Sequence, residues 1–435
     1  MKVLILTFGT RGDVQPFVAL ARALKACGHD AVLAAPQRFA GFVGEHDVTF
    51  AAVDDGPLRL MDAAHGVGET MTAGIRGRIE QARAIPATFI RVLEDCAAIA
   101  TGPGAGADVV VHNGQIIAGQ HIAEKLSVPA VLALTLPMYV PTREFPWPGQ
   151  ALPHWLPAAV NRATFLGMRA PALMFGRTVD RWRERTLGLP RRPGRHDPLI
   201  GPDGGPAPVL NAVSRHVLPP PADWPPTVTT TGYWFLPPRP NRGPEPSRNA
   251  GLPDELAAFL DAGDPPVFVG FGSMAGPDPR RTTEHVVAAI ARAGVRAVLA
   301  TGWGGLTATQ LPDGVIAVDQ APHELILPRT AAVVHHGGAG TIGAAAAAGR
   351  PQVVCPFVAD QPFWGRRMHT LGVAPAPLNQ NALTADALAA AIDQAVTDPT
   401  INLRAGELGD LIRSEQGIAA AVRQLETLVG TVGVS

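Results

Sequence analysis

Two glycine turns, one near each end of the chain, carry the residue types best suited to chemistry. The first, Gly9-Thr10-Arg11-Gly12-Asp13, follows the apolar run Val3–Phe8 and precedes a helical pattern in which Pro16, Val18, Leu20, Ala21 and Leu24 recur up to Gly28. The second, Gly337-Gly338-Ala339-Gly340, follows Ala331–Val334 and opens an alanine-rich helix near Thr341. A strand, a glycine turn and a helix together leave free N–H groups at the positive end of the helix dipole, and glycine lets the backbone approach a ligand closely. That combination suits a phosphate. The second helix is almost pure alanine and glycine, so the loop before it must hold the ligand. His335, at the strand end, is placed to donate to a phosphate oxygen. Adjacent histidines on a strand point to opposite faces, which makes His335 and His336 a poor metal pair and predicts His336 packed within the domain.

Residues 338–343 also fit G-x-G-x-x-G, and Asp360 falls where a dinucleotide fold has its acidic ribose ligand, so a nicotinamide-dependent oxidoreductase is the rival reading. Three neighbours disfavour it: His335 before the loop, Asp360-Gln361 entering another helix after it, and the second glycine turn at residues 9–12. In that first turn Asp13 stands at a helix start and should face a cleft between domains. It is the candidate general base, a helix-capping aspartate being the plainer use of the residue. Arg11 can assist a phosphate across the cleft, or pair with Asp13.

These loops need two scaffolds. Strand and helix patterns alternate over Val3–Phe8, Ala31–Ala35, Ala107–His112, Gly119–Leu126 and Val128–Leu134, then again over Pro266–Phe271, Arg281–Arg292, Ala297–Thr301, Val315–Val318, Ala331–His335 and Gln352–Pro356. Such alternation predicts two parallel sheets covered by helices. At 435 residues two domains are expected. Residues 237–253 hold six prolines and read as a stiff linker between a first domain, 1–236, and a second, 254–435, whose last helix can return to the first. Apolar residues make up 46% and charged residues 17% of the chain, with a net charge of −1, which excludes a nucleic-acid coat and favours small-molecule partners. Cys27, Cys96 and Cys355 are too few for a disulfide framework and are expected to be buried; with no secretory pattern after Met1, the expected location is cytoplasmic. Nine arginines against Asp180 and Glu184 in residues 162–195 give either a solvated surface or a patch for peripheral contact with anionic lipid headgroups.

The run from His335 to Thr341, with Gly349-Arg350-Pro351-Gln352 and Ala359-Asp360-Gln361-Pro362-Phe363-Trp364-Gly365, resembles the donor signature of family 1 glycosyltransferases of the GT-B fold: α/β, two Rossmann-like domains facing each other across a cleft. Gly9-Thr10-Arg11-Gly12-Asp13-Val14-Gln15-Pro16 is similar to the sterol glucosyltransferases and vancomycin-type aglycone glycosyltransferases. The resemblance covers residues 1–55 and 265–375. It implies an inverting hexosyltransferase acting from a nucleoside-diphosphate sugar, UDP-glucose first and a dTDP-deoxysugar second, on a hydroxyl of a lipophilic acceptor. A sugar-nucleotide binder without activity is a third reading, disfavoured by the intact set Asp13, His335, Asp360 and Gln361.

By the same resemblance, Asp13 is the base, His335, Gly338, Ala339, Gly340, Thr341 and Ser273 hold the diphosphate with Arg11, and Asp360 and Gln361 bind the sugar. Gln320 and Ala321 fall where the nucleoside binds, and Trp303 either flanks the base or lies in the core. The nucleotide sugar is a co-substrate, and no cofactor or metal is expected: the helix terminus does the metal's work, although Asp54-Asp55 resembles a metal-binding carboxylate pair. Aromatic residues concentrate in 135–165, where Met138, Tyr139, Phe145 and Trp147 are expected to line a hydrophobic acceptor site.

Overall fold

A computed structural model describes residues 1–65, 75–150, 152, 155–237, 251–272, 279–302, 311–319 and 322–432. Most of the proline-rich segment 237–253, together with Ser273, Trp303, Gln320 and Ala321, lies outside the described residues. Seven strands, β1 (Lys2–Leu6), β2 (Asp30–Pro36), β3 (Thr49–Val53), β4 (Val109–His112), β5 (Ala130–Leu134), β6 (Val209–Asn211) and β7 (Val228–Thr230), form one sheet in the order β3-β2-β1-β4-β5-β6-β7. Five more, β8 (Val267–Gly270), β9 (Ala297–Ala300), β10 (Val315–Val318), β11 (Ala332–His335) and β12 (Gln352–Val354), form a second in the order β10-β9-β8-β11-β12. Every pairing in both sheets is parallel.

The central strands are continuous apolar runs because helices cover both faces; β1, β4, β8 and β11 are buried along almost their whole length. In each sheet the chain runs outward in one direction from its first strand and then crosses to continue on the other side. The reversal falls between β1 and β4 in the first sheet and between β8 and β11 in the second. Loops at the carboxyl ends of strands flanking such a reversal splay apart and form the crevice in which doubly wound sheets bind ligands.

The halves are bound together by chain that returns from each to the other. The last helix, Gly417–Val432, packs Ala421, Val422 and Leu425 into the core beside Phe17 and Leu20 of the helix Arg11–Ala26. A second cluster joins Phe145, Phe165, Val213 and Val217 to Ile342, Phe363, Trp364 and Met368, and Arg367 Nε donates to the Val217 carbonyl at 2.6 Å. Among the described residues no helix is long and apolar enough to cross a membrane. Cys96 and Cys355 are buried, but Cys27 is exposed, because it caps the end of its helix rather than facing the sheet.

Candidate active site

The first reversal point carries Asp13. Gly9, at φ +135°, turns the chain out of β1 into the helix Arg11–Ala26; a side chain there would strike the Asp13 carboxylate. Asp13 Oδ2 accepts from the Thr10 backbone N–H at 2.7 Å and the Thr10 hydroxyl at 2.9 Å, and Oδ1 accepts from Gln115 Nε2 at 3.1 Å. Gln115 lies in the loop after β4 and is itself held by Asn113, whose Nδ2 donates to Gln115 Oε1 at 2.9 Å and to the Phe8 carbonyl at 2.7 Å. Burial raises the Asp13 pKa above the ordinary carboxylate value, and the three hydrogen bonds oppose that rise. Asp13 both caps its helix and stands as a partly buried carboxylate with an elevated proton affinity. Nothing in the local pattern pointed to Gln115 or Asn113; the adjacency of β1 and β4 brings both towards Asp13, Gln115 from 102 residues along the chain.

The second reversal point carries the helix Ala339–Ala347. Gly337, at φ +91°, and Gly338, its N-cap, turn the chain out of β11. The bond from Ile342 N to Gly338 O, at 2.9 Å, begins the helical ladder, so the amides of Ala339, Gly340 and Thr341 precede it and face outward. His335 departs from expectation. His335 is wholly buried, with Nδ1 accepting from Gly337 N at 3.0 Å and Nε2 against Gln352 Oε1 at 2.9 Å. An Nδ1 that accepts requires the proton on Nε2, which then donates to Gln352; both nitrogens are used, and none remains for a phosphate. Burial pushes its pKa down to about 3. His336 instead lies over the loop: its Nε2 would be 2.5 Å from a side chain at Gly338, and its ring 3.4 Å from one at Gly272. His336 Nδ1 is buried with no hydrogen-bond partner among the described residues, and desolvation holds the ring neutral, its pKa lowered to about 4.

Beyond the helix, the loop 357–361 is drawn tight. Gln361 Oε1 accepts from the amides of Phe357 at 2.8 Å and Val358 at 3.1 Å, and Ala359 adopts φ +57°, an uncommon conformation for a residue with a side chain. Asp360 follows, its Oδ2 accepting from Trp364 Nε1 at 2.8 Å. The Asp360 pKa is raised, first by burial and further by the charge of Asp13, which belongs to the other sheet. His323 is lowered to about 4 by burial and then by the charge of Arg11, again from the other sheet. Asp13 and Asp360, and likewise Arg11 and His323, therefore lie within electrostatic reach of each other from the two sheets. Arg11 is exposed, lies 4.7 Å from the Phe42 ring centroid and bonds Gln15 at 3.2 Å; among the described residues it has no ion pair with Asp13.

Of the expected acceptor residues, Tyr139 is the best placed. Its hydroxyl donates to the Gly114 carbonyl at 2.6 Å; burial, and then the charge of Asp13, raise its pKa. It also lines a cavity of about 340 Å³ with Phe165, Leu166, Met168, Arg162 and Arg169. Phe145 does not face a ligand: it is buried between Phe165 and Phe363, with its ring centroid 5.5 Å from that of Phe363, where the two halves meet. Trp147 belongs to the same cluster, and its Nε1 is buried without a partner among the described residues. Met138 is partly buried, its amide bonded to Leu136. Asp54 and Asp55 pair with Arg91 and Arg38, at 3.2 and 3.1 Å.

The profile of the glycosyltransferase family 28 N-terminal domain matches residues 3–144, and that of the erythromycin biosynthesis protein CIII-like C-terminal domain matches residues 286–428. The sterol 3-beta-glucosyltransferase UGT80B1 of Arabidopsis thaliana is 32% identical over 97% of this chain and 67% of its own length. A sterol 3-beta-glucosyltransferase of Emericella nidulans is 33% identical over 98% of this chain, which spans 30% of that longer protein. Among solved structures, the kitacinnamycin glycotransferase superposes with a TM-score of 0.70 at 20% identity, over 98% of this chain and 99% of its own. VinC, solved with dTDP, gives 0.67 at 21%, over 99% of this chain and the whole of its own. These likenesses replace the nicotinamide reading of residues 338–343. The chain is a glycosyltransferase of GT-B fold and belongs to the family that includes the sterol 3-beta-glucosyltransferases.

Proposed function

We propose that this glycosyltransferase moves a hexose, with UDP-glucose as the leading donor, to a hydroxyl of a lipophilic small molecule such as a sterol or a natural-product aglycone, with inversion and without a metal. The observation that carries the reading is the meeting of two loops across one cleft, where Asp13 bears on Asp360 and Arg11 bears on His323. The diphosphate lies over the amides of Gly338, Ala339, Gly340 and Thr341, at the positive end of their helix. His336 replaces His335 as the side chain beside it, and Arg11 reaches it from the other domain. Ser273, with Trp303, Gln320 and Ala321 at the nucleoside, rests on sequence resemblance alone.

Asp360 Oδ1 and the Gln361 amide nitrogen take sugar hydroxyls. Asp13 accepts the proton of the attacking hydroxyl as its oxygen bonds to the anomeric carbon, and the bond to the diphosphate oxygen breaks on the opposite face. The negative charge left on the diphosphate meets fixed amides and a helix dipole, a preorganised environment in which no ion is needed. The acceptor occupies the cavity beside Tyr139, and the names of the relatives make a sterol the first acceptor to try.

Incubation with UDP-glucose and a panel of sterols and aromatic alcohols, read by mass spectrometry and by the anomeric coupling of the product, tests the reading. A β-glucoside formed at the same rate with and without EDTA is expected. An α-product, loss of activity with EDTA, or transfer only from dTDP-deoxysugars would each overturn the corresponding part.

A further inference from the structure

Outside the cleft, the largest concentration of exposed apolar side chains lies on the segment 155–182. Trp155, Leu166, Leu173 and Met174 are between 60% and 74% exposed, and among the described residues only one other large apolar side chain, Leu403, reaches that range. Leu173 and Met174 belong to the helix Ala170–Trp182, whose opposite face buries Val179 and Trp182. Arg177 and Arg181 follow Leu173 at i+4 and i+8, on the outward face, and both are exposed.

The basic residues nearby divide into two sets. Arg183 is wholly buried, bonded to Glu124 at 2.7 Å, and Arg192, Arg191, Arg169 and Arg162 pair with Glu124, Glu184, Asp197 and Asp223. Those arginines neutralise the local carboxylates. Arg177, Arg181, Arg185 and Arg195 are exposed, with no carboxylate within ion-pair distance among the described residues. A face that offers protruding apolar side chains beside unneutralised guanidiniums matches the interface of an anionic bilayer, where apolar groups enter the acyl boundary and arginines meet phosphate.

We propose that this face docks on an anionic lipid bilayer. Leu166 links the docking face to the cavity beside Tyr139, because it is exposed and also lines that cavity. A docked molecule holds the cavity mouth near the acyl boundary, so a lipophilic acceptor enters without crossing water. This last step rests on the acceptor reading given above; the docking itself does not.

Co-sedimentation of the whole chain with vesicles of phosphatidylcholine alone, and of equal parts phosphatidylcholine and phosphatidylglycerol, tests the proposal. Binding to the anionic vesicles only is expected, reversed by about 0.5 M sodium chloride. The double variants Leu173→Ser/Met174→Ser and Arg177→Glu/Arg181→Glu should each weaken it by roughly tenfold or more, with unchanged melting temperature and unchanged transfer to a water-soluble alcohol. A wild-type protein that leaves anionic vesicles unbound, or variants that bind as wild type, overturns the proposal. So does a wild-type dimer that Leu173→Ser/Met174→Ser converts to a monomer without altering vesicle binding, which would give the face to a second copy. Docking without transfer to any lipophilic alcohol would leave the proposal standing and remove the acceptor reading alone.

Discussion

The turns at Gly9–Asp13 and Gly337–Thr341 are the same device put to opposite uses. Each follows a central strand at its sheet's reversal point, each has a glycine of positive φ immediately before the N-cap, and each has glycine at the second helical position, Gly12 or Gly340. They differ at the third. Asp13 folds back and accepts from Thr10, so the first helix satisfies its own terminus with a carboxylate. Thr341 has no charge to offer, and its N-cap, Gly338, has no side chain, so the second terminus stays open. An anion is excluded from one and invited to the other. On the function proposed above, where the two face each other the self-capped loop is assigned the base and the open loop the phosphate.

Removing the carboxylate should have the largest effect. Asp13→Asn is expected to lower kcat by about two to four orders of magnitude, the usual worth of a general base, while UDP affinity by calorimetry stays within a few-fold. The same variant should be at least as stable as wild type at neutral pH. The native Asp13 pKa is raised, so the native state holds more protons than the unfolded chain between the unfolded and native values, and stability drains away as pH rises through that window. Thermal melts across that window should show the gap between Asn variant and wild type widening with pH. A wild-type rate in Asp13→Asn removes the base assignment.

Converting the open loop to the closed one comes next. Thr341→Asp places a carboxylate where Asp13 sits in the other turn, to cap Gly338. It should hold or raise the melting temperature and weaken UDP binding by about a hundredfold, from a like charge about 4 Å from the diphosphate. Unchanged UDP affinity would break the comparison between the two turns.

The fold was legible where burial writes itself into composition. Buried parallel strands such as Val267–Gly270 and Ala332–His335 are unbroken apolar runs, and glycine turns punctuate them. Strand Thr49–Val53 escaped because it lies at a sheet edge with mixed burial, and Val209–Asn211 and Val228–Thr230 because three residues carry no period. In the candidate site, the helix-start positions of Asp13 and the glycine loop were legible from residue type and spacing, while Asp360 as a sugar ligand entered through the family resemblance. The opposite orientation of His335 and His336 was legible too, but which of them faced inward was not. That is decided by Gln352, on the neighbouring strand, which offers His335 an oxygen inside the domain.

The histidine pair therefore gives the third test. His336→Ala should weaken UDP binding by about tenfold, the worth of one hydrogen bond to a charged group, with little change in melting temperature. His335→Ala should do the reverse first: it orphans Gln352 and Gly337 N in the core and costs about 2 kcal/mol of stability. Urea denaturation and UDP calorimetry on both variants separate the roles. Loss of affinity in His335→Ala at full stability would restore His335 to the phosphate.

Gln115 should show the smallest effect and the most specific one. Its Nε2 bond stabilises the ionised form of Asp13 against the burial that destabilises it. Gln115→Leu removes that bond while leaving the carboxylate, so the Asp13 pKa rises further, by up to about one unit if the bond is worth roughly 1 kcal/mol. The acid limb of kcat/KM, which reports the free enzyme's base, should move to higher pH by that amount, while the rate well above the limb changes only a few-fold. Asn113→Ala, which frees Gln115 from its own support, should move the limb in the same direction and less far. A variant that is slower by the same factor at every pH would mean that Gln115 shapes the loop without tuning the base, and the first turn would then owe its chemistry to Thr10 and burial alone.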